Sequence, residues 1–406
     1  MSNSNFDPSA CSGLSRRNFM RIAAATSALA SIPVLTEAHM AFAQRPKFAA
    51  SNRGIHIDAN ENPLGPSQAA RDAIAAMIPK GGRYLMDAQF EINDTFAKIE
   101  GLDPNSVCAY AGSSEPLHYT VLAYTSKDKP LVVADPGYEA PMYAAKAVGA
   151  PVIKVPLKDP KGAASHDVKA MLAASATPGV IYICNPNNPT GTVTSPADID
   201  YVVQNAPKGT IVLIDEAYIH LSDAPSSLHY VKEGKDVIVL RTFSKLYGMA
   251  GIRMGYAIGR PDLIDKLVPL GGQNSLAITA LAAAKASLLD ADLVPTRKKI
   301  IGDIRTENLA WLKSEGWEAT PSQTNCFMLD VKRPGGEVLA AMAKKDIYIG
   351  RIWPAWPTHV RITVGTKDEM AAFRKAFKEV MSSSTAGLVP EPLHERIRET
   401  PFSYLS

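Results

Sequence analysis

Between about residues 105 and 260 the chain alternates short apolar, β-branched runs with longer segments of helical periodicity. KPLVVADP leads into YEAPMYAAKAVGA, PVIKVPL into VKAMLAASA, and GVIYICNP into PADIDYVVQNA, before TIVLIDEA and DVIVLRTF. Strands separated by helix-length connections predict parallel pairing with right-handed crossovers. A helical stretch at roughly 275–315 follows. After it, NCFMLDV, GGEVLAAMAKKD, IYIGRI, HVRITVG and TKDEMAAFRKAFKEVM predict a smaller unit of the same mixed kind. The expected fold class is therefore α/β: a large domain built on a mostly parallel sheet, plus a smaller α/β domain.

The N-terminus follows a different pattern. SRRNFM (15–20) precedes the weakly apolar, Ala-rich run 22–35 and then AFA before Gln44. A basic region, an apolar run too short for a stable span and a small-x-small site are the three parts of a cleavable signal peptide. Arg16 and Arg17, with Ser15 before and Phe19 after, resemble the twin-arginine export signal, so a periplasmic or otherwise exported enzyme is expected. The expected divisions are a leader over 1–43, an arm over 44–65, a large domain over 66–290, a small domain over 291–383 and a tail over 384–406.

Composition narrows the class further. The chain has 406 residues, 46% of them hydrophobic, and a net charge of +3. Basic and acidic residues are interspersed, which leaves no electrostatic footprint for nucleic acid. Cys11, Cys108, Cys184 and Cys326 have no metal-ligand spacing and form no disulfide framework. No metal site is expected, and no stable membrane span in the mature chain.

The polar clusters fall where the strands end: DPGY after LVVA, NPNNPTG after VIYIC, DEAY after TIVLI, and TFSK after DVIVL. In parallel sheets ligands collect at the carboxyl ends of the strands. The residue types there suit pyridoxal 5'-phosphate. Lys245 can form a Schiff base with its aldehyde, provided desolvation lets the ammonium lose its proton. Asp215, at the end of a buried strand, needs a cation, and a protonated pyridine nitrogen is one. Tyr218 and Asn188 can donate to the phenolic oxygen. Arg253, Thr242 and the Gly-Ser turn AGSSEP, with Ser113 and Ser114 opening a helix, suit a phosphate dianion. Each motif alone is a commonplace: a turn, an N-cap or a capped strand end. Their joint order along one α/β chain carries the reading.

With these residues the chain resembles the fold type I pyridoxal-phosphate enzymes of the aspartate aminotransferase superfamily, and most closely the histidinol-phosphate aminotransferase group. The similarity runs from DANENPLGP (58–66) to VRITVGTKDEM (360–370). It implies that Lys245 is the Schiff-base lysine and that Arg253 binds the cofactor phosphate. It carries the pyridine-nitrogen aspartate onto Asp215, the phenolate donors onto Tyr218 and Asn188, and the ring-stacking aromatic onto Tyr138. It implies that Tyr84 reaches the phosphate of the neighbouring subunit in a homodimer. Arg361 is implied to hold the anionic end of the substrate and Arg351 to help bind a substrate phosphate.

The expected reaction moves an amino group between an L-amino acid and a 2-oxo acid. Histidinol-phosphate transamination, or a decarboxylation on the same scaffold, are the alternatives. Two departures bear on the substrate: the segment QRPKFAASNRGIHI lacks the tyrosine that the group often supplies to the pocket, and Trp353 and Trp356 stand between the two arginines.

Overall fold

The computed structural model describes residues 34–45, 54–271 and 275–383. Its strands in chain order are β1 (Ile55–Ile57), β2 (Val107–Tyr110), β3 (Leu131–Asp135), β4 (Val152–Pro156), β5 (Val180–Cys184), β6 (Ile211–Asp215), β7 (Val237–Thr242), β8 (Gly255–Gly259), β9 (Glu318–Ala319), β10 (Cys326–Asp330), β11 (Ile347–Ile349) and β12 (His359–Thr363). Seven of them form one sheet in the order β2-β8-β7-β6-β5-β3-β4. All its pairings are parallel except those of β8, which runs antiparallel to both β2 and β7. Every residue of β5, β6 and β7 is buried. That is why these segments read as unbroken apolar runs: a parallel sheet is covered by helices on both faces.

The strand order reverses between β3 and β5, since β4 lies outward of β3 while β6 and β7 continue on the other side. Such a reversal opens a crevice beyond the strands' carboxyl ends. Tyr138 follows β3 there and Asn188 follows β5.

The helical stretch expected at 275–315 is two helices, Ile278–Leu289 and Leu293–Ser314, broken at Asp290. The second, about 33 Å long at 1.5 Å per residue, leads to the smaller unit. There β12, β10 and β9 form an antiparallel sheet, backed by helices Gly335–Ala343 and Lys367–Ser382. The last helix opens with a capping box: Thr366 N donates to Glu369 Oε2 at 2.7 Å, and Glu369 N donates to Thr366 Oγ1 at 3.2 Å. β1 pairs in parallel with β11, so the arm that leads into the large domain also adds a strand beside the small one.

Residues 1–33, which include the twin-arginine motif, and the tail from 384 lie outside the described residues. Residues Glu37–Gln44, which take in the end of the expected leader and the first residue of the arm, form a helix that buries Glu37, Met40, Ala41 and Ala43. Met40 joins the main hydrophobic core.

Candidate active site

The strand ends of the large sheet converge on a cavity of about 360 Å³. Ser113, Ser114, Tyr138, Asn188, Asp215, Tyr218, Thr242, Lys245 and Arg253 all line it, together with Thr36, Glu37, Ala38 and His39. Nine of the sequence-predicted site residues are thus brought together.

Asp215 is the last residue of β6 and is buried. Tyr182 Oη donates to its Oδ2 at 2.9 Å and Ala217 N to its Oδ1 at 3.1 Å. Burial still pushes its pKa up to about 6, against the pull of these two donors. Lys245 is buried too, and desolvation lowers its pKa; Glu37 counteracts this and Arg361 reinforces it. Its Nζ donates to Asn60 O at 3.1 Å and lies 5.6 Å from the centre of the Tyr218 ring. Asn60 Nδ2 donates in turn to Tyr218 Oη at 2.9 Å. Asn60 adopts φ 53°, a left-handed conformation that asparagine tolerates better than most residues.

Arg253 Nη1 donates to Ala250 O at 2.9 Å and Nη2 to Ala111 O at 3.0 Å. These main-chain bonds hold the guanidinium at the start of helix Ser114–Tyr124 without neutralising it. Gly112, with φ +91°, makes the approach possible: a Cβ there would stand 2.2 Å from Arg253 Nη2. A fixed cation, a helix N-terminus and the Ser113, Ser114 and Thr242 hydroxyls form a seat for a phosphate. Pyridoxal 5'-phosphate fits this set of groups: a buried carboxylate wanting a cation, a lysine pushed toward its neutral form, and an anion seat.

Arg361 projects from β12 and is fully buried. Its Nη1 donates to Asn188 Oδ1 at 2.9 Å, and its Nη2 donates to Asp58 O at 2.6 Å and to Glu37 Oε1 at 2.7 Å. Asn188 was expected to face a cofactor oxygen; here its Nδ2 donates to Glu37 Oε2 at 3.0 Å. The resemblance implies that Arg351 helps bind a substrate phosphate; here its guanidinium is paired with carboxylates of the chain itself. Glu139 takes both its Nη groups, at 3.2 and 2.9 Å, and Glu37 takes Nε and Nη2 at 3.0 and 3.2 Å. Trp353 is buried beneath both guanidiniums, its ring centre 4.6 Å from Arg351 Cζ and 5.5 Å from Arg361 Cζ. Tyr84 is 79% exposed and takes no part in this chain's own cavity.

Glu37, Glu139, Asn60 and Tyr182 were not anticipated. Asn60 could have been found, because it sits inside DANENP, one of the stretches that carry the resemblance. Burial would raise the Glu37 pKa, but Arg351 and Arg361 overcome that and hold it far below the usual carboxylate range.

The family model for aminotransferase class I and II matches residues 52–377. A curated histidinol-phosphate aminotransferase from Moorella thermoacetica is 32% identical over 339 residues, covering 81% of this chain and 86% of that protein. A solved structure from Erwinia carotovora atroseptica, itself assigned only provisionally to the histidinol-phosphate aminotransferases, superposes with a TM-score of 0.78. It shares 29% identity and covers 82% of this chain and 97% of its own. The Sinorhizobium meliloti histidinol-phosphate aminotransferase, solved with pyridoxal-5'-phosphate, has the same fold, with a TM-score of 0.75 at 24% identity over 92% of this chain and 99% of its own. The chain belongs to the class I and II aminotransferases. It is an α/β enzyme of fold type I, and its cofactor is pyridoxal 5'-phosphate.

Proposed function

We propose that this aminotransferase moves an amino group between an L-amino acid and a 2-oxo acid, with Lys245 as covalent anchor of the cofactor and carrier of the substrate's α-proton. The cofactor, when bound, supplies an electron sink for the electrons left at the α-carbon. The chain's own groups do the rest. Asp215 would supply the counter-charge for a protonated pyridine nitrogen, Tyr218 would donate to the phenolic oxygen, with Asn188 beside it once Glu37 is displaced, and Tyr138 would stack on the ring. Arg253, Thr242, Ser113 and Ser114 hold the phosphate. Lys245, desolvated and directed by Asn60 O, accepts and returns the proton. Arg361 and Asn188 together seat the substrate carboxylate. The observation that carries this reading is the convergence of Lys245, Asp215 and Arg253 on one cavity, with the Arg361–Asn188 pair at its edge.

The relatives' names favour histidinol phosphate as a second reading. Against it stands Glu139: a carboxylate already bonded to both Nη groups of Arg351 opposes a dianionic phosphate at that position. Mixing the cofactor-loaded enzyme with single amino acids, and with histidinol phosphate, tests both. Loss of the Schiff-base absorbance with a stoichiometric 2-oxo product, an acid from an amino acid or a 2-oxo alcohol phosphate from histidinol phosphate, supports transamination; release of carbon dioxide and an amine would instead mean decarboxylation.

Export through the twin-arginine pathway is part of the same proposal, supported by SRRNFM and the Ala-rich run after it. Among the described residues no helix is long and apolar enough to cross a membrane. Cell fractionation of an Arg16→Lys, Arg17→Lys double variant tests the address; undiminished export would refute it. A homodimer completes the proposal. Tyr84, Met86 and Phe90 are exposed close together in the chain, as expected of a surface that meets a second copy. Light scattering of the purified protein decides the matter.

A further inference from the structure

The helix Glu37–Gln44 lies where a substrate should lie. Glu37 lines the cavity, whereas Arg351 and Arg361 do not, because the Glu37 side chain covers both. Its carboxylate accepts from Arg361, Arg351 and Asn188 at 2.7 to 3.2 Å, the same groups a substrate carboxylate would need. The segment is also secured behind that contact. Met40 is buried in the core. Gln44 bonds Ile352 in both directions, with Ile352 N donating to Oε1 at 2.9 Å and Nε2 donating to Ile352 O at 3.2 Å. Arg45 forks onto Asp58 at 2.5 and 3.0 Å.

We propose that residues 36–44 are an intramolecular ligand of the substrate pocket, with Glu37 standing in for a substrate carboxylate, so that the chain carrying them binds substrate weakly until they leave. The inference rests on the reading of Arg361 and Asn188 as the carboxylate seat. A carboxylate carried on the same chain competes intramolecularly, at an effective concentration that a free ligand must exceed. A free amino acid must displace it and also release the buried Met40 contact. Removal of residues 1–43 would take Glu37 and Met40 away while leaving Gln44 on Ile352 and Arg45 on Asp58. The pocket would then open on the side closed by residues 36–39, with the residues at the strand ends still in place.

The test compares three cofactor-loaded proteins: the full chain, a chain starting at Gln44, and the full chain with Glu37→Gln. Each is titrated calorimetrically with maleate, an unreactive dicarboxylate, and assayed with the best amino acid from the screen. The chain starting at Gln44 is expected to bind maleate at least tenfold more tightly than the full chain and to show a KM at least tenfold lower, with kcat within twofold. Glu37→Gln keeps the helix and removes the charge; it is expected to gain at least threefold in maleate affinity, and it decides alone if the shortened chain does not fold. Smaller gains, or weaker binding because the helix is a working wall of the pocket, overturn the proposal. If no amino acid reacts with any of the three, the functional reading fails, and the maleate affinities still decide whether the helix competes.

Discussion

Glu139 holds Arg351 in a two-pronged ion pair, Oε1 to Nη1 at 3.2 Å and Oε2 to Nη2 at 2.9 Å, in surroundings where Arg351 is fully buried. The cation that would otherwise attract the far end of an acidic substrate is already matched. Burial raises the Glu139 pKa, and Arg351 opposes the rise. Glu37 is the other partner of Arg351, so in a chain starting at Gln44 Glu139→Gln should free Arg351 and shift selectivity toward acidic or phosphorylated donors. We expect kcat/KM for an acidic amino acid to rise about tenfold relative to a neutral one. The ratio of the two efficiencies, in the variant and in the parent, is the measurement.

Replacing Lys245 with alanine should remove the covalent hold on the cofactor and the proton carrier together. A positioned acid–base group typically contributes about 10²- to 10⁴-fold, so a loss of at least about a thousandfold in kcat is expected. Borohydride reduction of the parent protein and peptide mapping should label Lys245; a label on another lysine would displace it from the role assigned here.

Arg361→Ala removes a guanidinium that donates to both Asn188 and the carboxylate now bound beside it. Charge-assisted hydrogen bonds contribute about 1.5–3 kcal/mol each, and about 1.4 kcal/mol is a factor of ten. Efficiency should fall at least about a hundredfold for every amino acid tested. Near-normal efficiency on an acidic and an aromatic donor alike would refute the clamp.

The buried carboxylate of Asp215 makes a prediction whose sign reverses with the cofactor. Without it, burial lifts the Asp215 pKa from the ordinary 3.8 to about 6, so the folded state holds the proton more tightly than the unfolded one. Stability contributed by this group is then present below about pH 4 and is lost as pH rises through about 6, by up to about 3 kcal/mol at 1.36 kcal/mol per unit. Asp215→Asn should stabilise the cofactor-free protein at pH 7 and leave it unchanged near pH 4. In the loaded protein the same substitution should destabilise, because the pyridinium has lost its counter-charge. Thermal melts of both proteins, with and without cofactor at the two pH values, supply the comparison.

Gly112→Ala tests the phosphate seat without touching a charged group. The new Cβ would overlap a guanidinium that main-chain carbonyls hold in place, at a backbone angle that alanine resists. Cofactor affinity, read by absorbance titration, should weaken at least about tenfold while the fold persists.

The strand ends were legible because each polar cluster directly follows an apolar run that a parallel sheet buries whole: Asp215 closes β6 and Thr242 closes β7. β2 and β8 escaped notice because VCAY and GYAIG are short, and Gly and Ala blunt their apolar pattern. Glu139 stood in plain view beside Tyr138, but its partner is 212 residues further along, and no local pattern signals such a pairing. Glu37 was hidden differently. It lies in a stretch whose composition reads as a leader to be discarded, and only the fold brings it back to Arg361, 324 residues later.

The bond between Ala43 and Gln44 lies inside that helix, with Ala43 buried and Gln44 tied to Ile352. Were the leader cut at that bond, the protease would act only on molecules whose helix has lifted away, and the rate of trimming would follow the population of that open form. Any carboxylate that takes the place of Glu37 enlarges the same population, because binding and release are linked. Maturation would then run fastest where the amino acid is most abundant, and the enzyme's own substrate would set the pace of its unveiling.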